Sequence, residues 1–149
     1  MIRTNIKKAD MVTSQDCLKK YGIPTNGAGY LVLFIVPTTL PSTVIPRRIY
    51  CNKDLVTPLQ KAFINLVNRG FIDELKSWDG CFNIRQQRGG SSWSLHSWAI
   101  AIDVNANSNK LGETPTLSDG FVKCFTDAGF DWGGKWNRPD GMHFQLASI

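Results

Sequence analysis

Leu59, Ala62, Phe63, Leu66 and Val67 recur at i, i+3, i+4, i+7 and i+8, an apolar stripe that predicts a core-facing helix. Thr57-Pro58 supplies an N-cap residue followed by proline at the first helical position, and Arg69 with Gly70 closes the pattern. A second helix is expected over residues 118–128, with Phe121, Val122 and Phe125 inward and Gly129 as its stop. A shorter one is expected over 14–21, before Gly22. Period-two patterns predict strands elsewhere. The apolar run 30–36 reads as a buried strand. Asp79-Gly80 reads as a turn, after which Cys81-Phe-Asn-Ile-Arg85 alternates. In 99–104, Ile100, Ile102 and Val104 share a core face, with Ala99, Ala101 and Asp103 on the other. In 142–146, Phe144 and Leu146 point inward, with His143 and Gln145 opposite. The elements mix without a βαβ rhythm, so the expected class is α+β: an antiparallel sheet with helices packed on it.

Length and composition narrow this picture. The chain has 149 residues, 42% of them hydrophobic, which suits one domain with a core of its own. Residues 37–48 carry three prolines and read as an extended connection, leaving residues 1–50 as an N-terminal extension of a single 1–149 domain. Cys17, Cys51, Cys81 and Cys124 are widely spaced and form no CxxC pair, so four reduced thiols are expected and zinc-finger or thioredoxin readings fail. No stretch is long enough to span a bilayer, and no apolar segment follows the basic first residues as a signal peptide requires. Synthesis in the cytoplasm, as a monomer, is the expectation. Seventeen Lys and Arg against twelve Asp and Glu give a net charge of +5, which favours an anionic partner without choosing one. Nucleic acid is disfavoured, because the cations are spread out and no binding motif is present.

Only two histidines exist, His96 and His143. His96 lies seven residues before Asp103, whose small neighbours Ala99 and Ala101 leave room on that face. Two imidazoles and a carboxylate form the ligand set of a catalytic zinc. Asp140, in an Asp-Gly turn three residues before His143, has the placing of a general base. The plainer reading also stands on these spacings alone: a lone strand histidine is more often satisfied by the protein, and an aspartate after an apolar run often caps a turn.

The segment Ser94-Leu-His-Ser-Trp-Ala-Ile-Ala-Ile-Asp103 resembles the Ser-x-His-x-x-Gly-x-Ala-x-Asp motif of the zinc D-alanyl-D-alanine carboxypeptidase and L-alanyl-D-glutamate endopeptidase family, which includes many phage endolysins. Asp140-Gly-Met-His143 resembles that family's closing motif, and Cys81-Phe-Asn-Ile-Arg-Gln-Gln-Arg-Gly89 its arginine-bearing strand. Ala99 stands where the motif has glycine. The resemblance implies that His96, Asp103 and His143 bind Zn2+, that Asp140 is the catalytic base, and that Arg85 holds the substrate carbonyl or its oxyanion. Arg88, beside Gly89-Gly90, is either a grip for a substrate carboxylate or a solvated loop charge. Ser94, Trp132 and Trp136 are expected at the substrate cleft. The resemblance implies hydrolysis of peptidoglycan stem peptides; small size with no export signal or anchor favours cleavage between L-Ala and D-Glu by an endolysin that reaches the cell wall after release. Removal of terminal D-Ala and non-catalytic wall binding are the alternatives.

Overall fold

A computed structural model describes residues 11–149, which form an α+β fold of three α-helices and two antiparallel sheets. The basic residues 1–10 lie outside the described part. Helix α1 (Ser14–Tyr21) starts at a capping box in which Asp16 N–H donates to Thr13 Oγ1 and Thr13 N–H donates to Asp16 Oδ2. Helix α2 (Val56–Asn68) begins earlier than Thr57-Pro58 suggested. Pro58 is tolerated because N–H groups of the first turn have no helical acceptor. Leu59, Ala62, Phe63 and Leu66 are buried as the stripe requires. Helix α3 (Asp119–Thr126) is capped by Ser118 Oγ, which accepts from Phe121 N–H.

Strands β1 (Leu31–Ile35) and β2 (Arg48–Asn52) form an antiparallel pair, with Leu33 opposite Tyr50. The 30–36 run is therefore a half-buried strand, not a buried one. Phe34 and Val36 enter the core, while Leu33 and Ile35 remain 47% and 58% exposed. The second sheet has the order β3-β4-β6-β5, built from β3 (Trp78–Gly80), β4 (Ala101–Val104), β5 (Phe130–Trp132) and β6 (His143–Leu146). On its apolar face Ile102 lies opposite Phe144, and Phe125 of α3 stacks on Phe144 with ring centroids 4.4 Å apart. Full burial of each such side chain contributes roughly 1.5–3 kcal/mol.

The segment 81–85 is not a strand. Asp79-Gly80 lies within β3, beside a bulge, and does not form a turn. The following backbone bonds to the 3-10 turn Leu95–Trp98: Asn83 N–H donates to the His96 carbonyl, and Arg85 N–H to Ser97 Oγ. The alternation of Phe82 and Ile84 was real in the sequence, but these polar groups found a turn as partner rather than a strand. β4 likewise begins at Ala101, because Ala99 closes that turn in the left-handed region at φ +54°. Glycine is the residue that backbone favours, and Ala99 adopts it here with a Cβ.

The N-terminal extension belongs to the same core. Trp98 Nε1–H donates to the Gly22 carbonyl at 2.7 Å, and Asn52 Nδ2–H donates to the Trp98 carbonyl at 3.0 Å. The four cysteines are free and buried, as the spacing suggested. Burial pushes the thiols of Cys17 and Cys51 up to about 12, leaving them inert. Among the described residues no helix is long and apolar enough to cross a membrane.

Tyr21 hydroxyl donates to Asp54 Oδ2 at 2.6 Å, and Lys20 Nζ lies 3.4 Å from the same oxygen. Burial raises the Asp54 carboxyl, but these contacts prevail and hold it below the usual carboxylate range. A depressed carboxylate stabilises the fold above its unfolded pKa and loses that contribution as pH falls through its folded value. Tyr21→Phe should therefore lower stability by about 1–2 kcal/mol at pH 7, less any solvent screening, with the gap narrowing as pH falls through the lowered pKa of Asp54 in urea unfolding followed across pH.

Candidate metal centre

The antiparallel register sets Asp103 of β4 directly opposite His143 of β6. His96 arrives from a different element, the 3-10 turn Leu95–Trp98, whose start is capped by Ser94 Oγ accepting from His96 N–H. One ligand atom from each of the three residues lies within 4.8 Å of the others. His96 Nε2 is 3.1 Å from Asp103 Oδ2, and His143 Nδ1 is 3.5 Å from Asp103 Oδ1. The two rings stand nearly perpendicular, 5.2 Å apart.

Hydrogen bonds behind the rings assign their tautomers. His96 Nδ1 lies 2.8 Å from the Cys81 carbonyl, which can only accept, so Nδ1 carries the proton and Nε2 a lone pair. His143 Nε2 lies 3.0 Å from Gln145 Oε1. The Gln145 amide is oriented in turn by its Nε2–H, which donates to the Val12 carbonyl at 3.2 Å. His143 Nε2 is thus the donor and Nδ1 the lone pair. The nitrogens that face the Asp103 carboxylate, His96 Nε2 and His143 Nδ1, are therefore the ones left to take a further proton or a cation.

That convergence calls for a cation. His96 Nε2 is shielded from solvent and makes no hydrogen bond, despite its 3.1 Å approach to Asp103. A lone pair facing a carboxylate in a buried site is unfavourable unless a proton or metal ion lies between them. Tetrahedral zinc, with ligands at about 2.0–2.2 Å, spaces its ligand atoms roughly 3.3 Å apart, and the two observed separations bracket that value. Two imidazoles with one carboxylate suit zinc chemically, and each imidazole has the outer acceptor that metal-bound histidines use. The residues fit the ion. In the metal-free protein, burial opposes charge on Asp103, but His143 and His96 hold the carboxyl well below its usual range. The reciprocal contact raises His143 against its own burial. The Asp103 side chain keeps 18% of its surface exposed, so the cluster can be reached from outside.

Asp140 enters through the turn that leads into β6, closed by His143 N–H donating to the Asp140 carbonyl at 3.1 Å. Burial raises its carboxyl, outweighing the opposing effects of His143, His96 and Arg88, while Asp103 adds to the rise. Asp140 N–H donates to the Gly133 carbonyl at 2.9 Å. A Cβ on Gly133 would lie 2.6 Å from the Asp140 carbonyl oxygen, so this approach admits only glycine. Gly133→Ala should push the turn away and displace Asp140 relative to His143, seen as a lowered unfolding temperature against wild type.

The remaining expected site residues divide. Trp136 packs on His143 with ring centroids 5.3 Å apart. Trp132 instead donates its indole N–H to the Gly141 carbonyl and lies against the Gly133-Gly134 turn and Phe144. Trp132 is half-buried in this position. Ser94 is buried, with its hydroxyl engaged as the cap beside His96, which gives it a positioning task instead of a substrate contact. The Arg85 guanidinium bonds the Gln86 carbonyl, and the strand parity that recommended it is gone. Arg88 is the arginine whose charge reaches Asp140. Sequence reasoning missed two supporting groups. Period two had placed Gln145 on the His143 face, a usable signal, whereas the Cys81 carbonyl is backbone and leaves no trace in residue type.

His96, Asp103 and His143 thus form a cluster able to hold a metal ion, open on one side, with a carboxyl of raised pKa close by. Residues 88–146, less than half of the chain, match the family model described as D-alanyl-D-alanine carboxypeptidase. That span holds His96, Asp103, Asp140 and His143; Arg85 lies before it. No curated protein and no solved structure matches the chain.

Proposed function

We propose that the protein is a zinc peptidase of peptidoglycan stem peptides, cutting between L-Ala and D-Glu in the manner of a phage endolysin. The observation that carries the hydrolytic reading is the convergence of His96, Asp103 and His143, with His96 Nε2 and His143 Nδ1 turned toward the carboxylate and no hydrogen bond on His96 Nε2. The motif resemblance over residues 81–143 supports the substrate class, and the net charge of +5 suits an anionic cell envelope. Release of terminal D-Ala is the second reading, favoured by the description of the matching family model.

In this reading His96, Asp103 and His143 hold the ion, and Ser94 and Cys81 fix the approach of His96. Bound zinc supplies a Lewis acid and acidifies water to a pKa near 7. Asp140 takes the proton from the attacking water and hands it to the leaving amine. Burial, which raises this carboxyl, makes Asp140 a readier proton acceptor than an exposed aspartate. Arg88, or Arg85 if its side chain swings away from Gln86, receives the developing negative charge or a substrate carboxylate.

Mass spectrometry of sacculi digested by the zinc-loaded protein tests the proposal. New N-terminal D-glutamate, lost on adding a chelator, is the expected result. Free D-alanine supports the second reading. Intact stem peptides in the presence of zinc overturn both.

A further inference from the structure

We propose that Gln145 is a positioning residue for the metal centre, joining His143 to the backbone that leads into α1. The inference rests on the zinc reading above and adds to it the means by which His143 is held. Gln145 is 3% exposed, and both ends of its amide are used. Oε1 accepts from His143 Nε2–H at 3.0 Å, and Nε2–H donates to the Val12 carbonyl at 3.2 Å, across 133 positions of sequence. An imidazole places its single proton on either nitrogen at similar cost, and only the Nε2-protonated form leaves Nδ1 free to bind a cation. The acceptor at Oε1 selects that form.

The Val12 carbonyl selects the acceptor. An amide at position 145 could rotate by 180° and present its NH2 to His143, which would reverse the tautomer. With Val12 accepting from Nε2–H, the amide is held with Oε1 toward the ring. Val12 immediately precedes Thr13, and the Thr13–Asp16 capping box fixes the start of α1. A helix from the N-terminal extension therefore helps set which nitrogen of His143 faces Asp103. His96 has a parallel support: its turn ends at Trp98, whose indole N–H donates to the Gly22 carbonyl at the other end of α1. Each histidine-bearing element is thus pinned to one end of α1.

The test uses the full-length chain, stripped of metal and titrated with Zn2+ against a chromophoric chelator. Co2+ absorption serves as a report on ligand geometry, and metal-free thermal unfolding runs in parallel. Gln145→Met keeps the volume and removes both hydrogen bonds. It should bind Zn2+ about 10–100-fold more weakly, with an altered Co2+ spectrum. Gln145→Glu keeps the acceptor for His143 but turns a carboxylate toward the Val12 carbonyl. It should hold Zn2+ affinity within a few-fold of wild type while lowering the metal-free unfolding temperature. A folded Gln145→Met with wild-type affinity and spectrum overturns the inference. If Gln145→Met does not fold, Gln145→Glu decides: retained affinity supports the acceptor role, and a 10-fold or larger loss overturns it. A wild-type chain that takes up neither Zn2+ nor Co2+ overturns the metal reading itself, an outcome distinct from equal binding by wild type and variant.

Discussion

Asp140→Asn should lower turnover on stem peptides about 10²–10⁴-fold while zinc content stays at the wild-type level. Asparagine has nearly the same shape, and the bonds that hold the turn do not use the side chain at 140: Asp140 N–H to the Gly133 carbonyl, His143 N–H to the Asp140 carbonyl, and the Trp132 indole N–H to the Gly141 carbonyl. The variant therefore keeps the path of the chain into His143 and removes only the capacity to carry a proton. Asp140 is not among the three converging ligand residues, so the ion should remain. The expected loss lies in kcat, with KM little changed, because proton transfer belongs to the transition state rather than to substrate binding. Steady-state kinetics with metal analysis on the same preparation provides the measurement. Unchanged turnover at full zinc occupancy would remove Asp140 from the mechanism.

The parts of this site that were legible in the sequence are those governed by local period. Alternation in 99–104 and 142–146 put Asp103 and His143 opposite their core neighbours, and antiparallel pairing then brought the two together. Asp140-Gly141 announced its turn through residue type. The α2 stripe and Ser118 announced two of the helices in the same way. What stayed hidden depends on partners distant in sequence. The tautomer of His96 is set by a carbonyl fifteen positions earlier, and that of His143 by an amide whose orientation depends on Val12. Cys81-Phe-Asn-Ile-Arg85 has a strand's alternation, but the Leu95–Trp98 turn satisfies its backbone, a competition that no local window reveals.

The same distinction accounts for the N-terminal extension. Prolines in 37–48 suggested a loose connection and masked β2, where buried Ile49 and Cys51 alternate with exposed Arg48 and Tyr50. β5 is three residues long and was too short for a periodic signal. Ala99 is an instructive case. The departure from glycine was visible, but its meaning was not, because a left-handed φ at the end of a 3-10 turn is a property of the path and not of the residue.

His96→Ala should abolish hydrolysis and weaken zinc binding by about 10²–10³-fold. Structural zinc sites bind with about 10–16 kcal/mol; shared over four ligands, that is roughly 2.5–4 kcal/mol for each. The loss is expected to be this large because no other imidazole or ionised thiol is at hand to substitute. The chain has only one other histidine, which already faces Asp103, and the cysteine closest in sequence to His96's support, Cys81, is a buried thiol whose pKa burial pushes up. Zinc at 100 times its Kd should stabilise the wild-type fold by about 2.7 kcal/mol, seen as a higher unfolding temperature. At the same zinc concentration His96→Ala should show little of that rise. The metal-free variant should also be less stable than wild type, since the Cys81 carbonyl loses its donor and the imidazole leaves a void. The comparison that matters is therefore each protein with and without zinc, not variant against wild type. Read beside Asp140→Asn, the pair separates binding from chemistry: one variant loses the ion and the activity together, the other keeps the ion and loses the activity. A His96→Ala protein that retains stoichiometric zinc and the full rise in unfolding temperature would place the metal elsewhere.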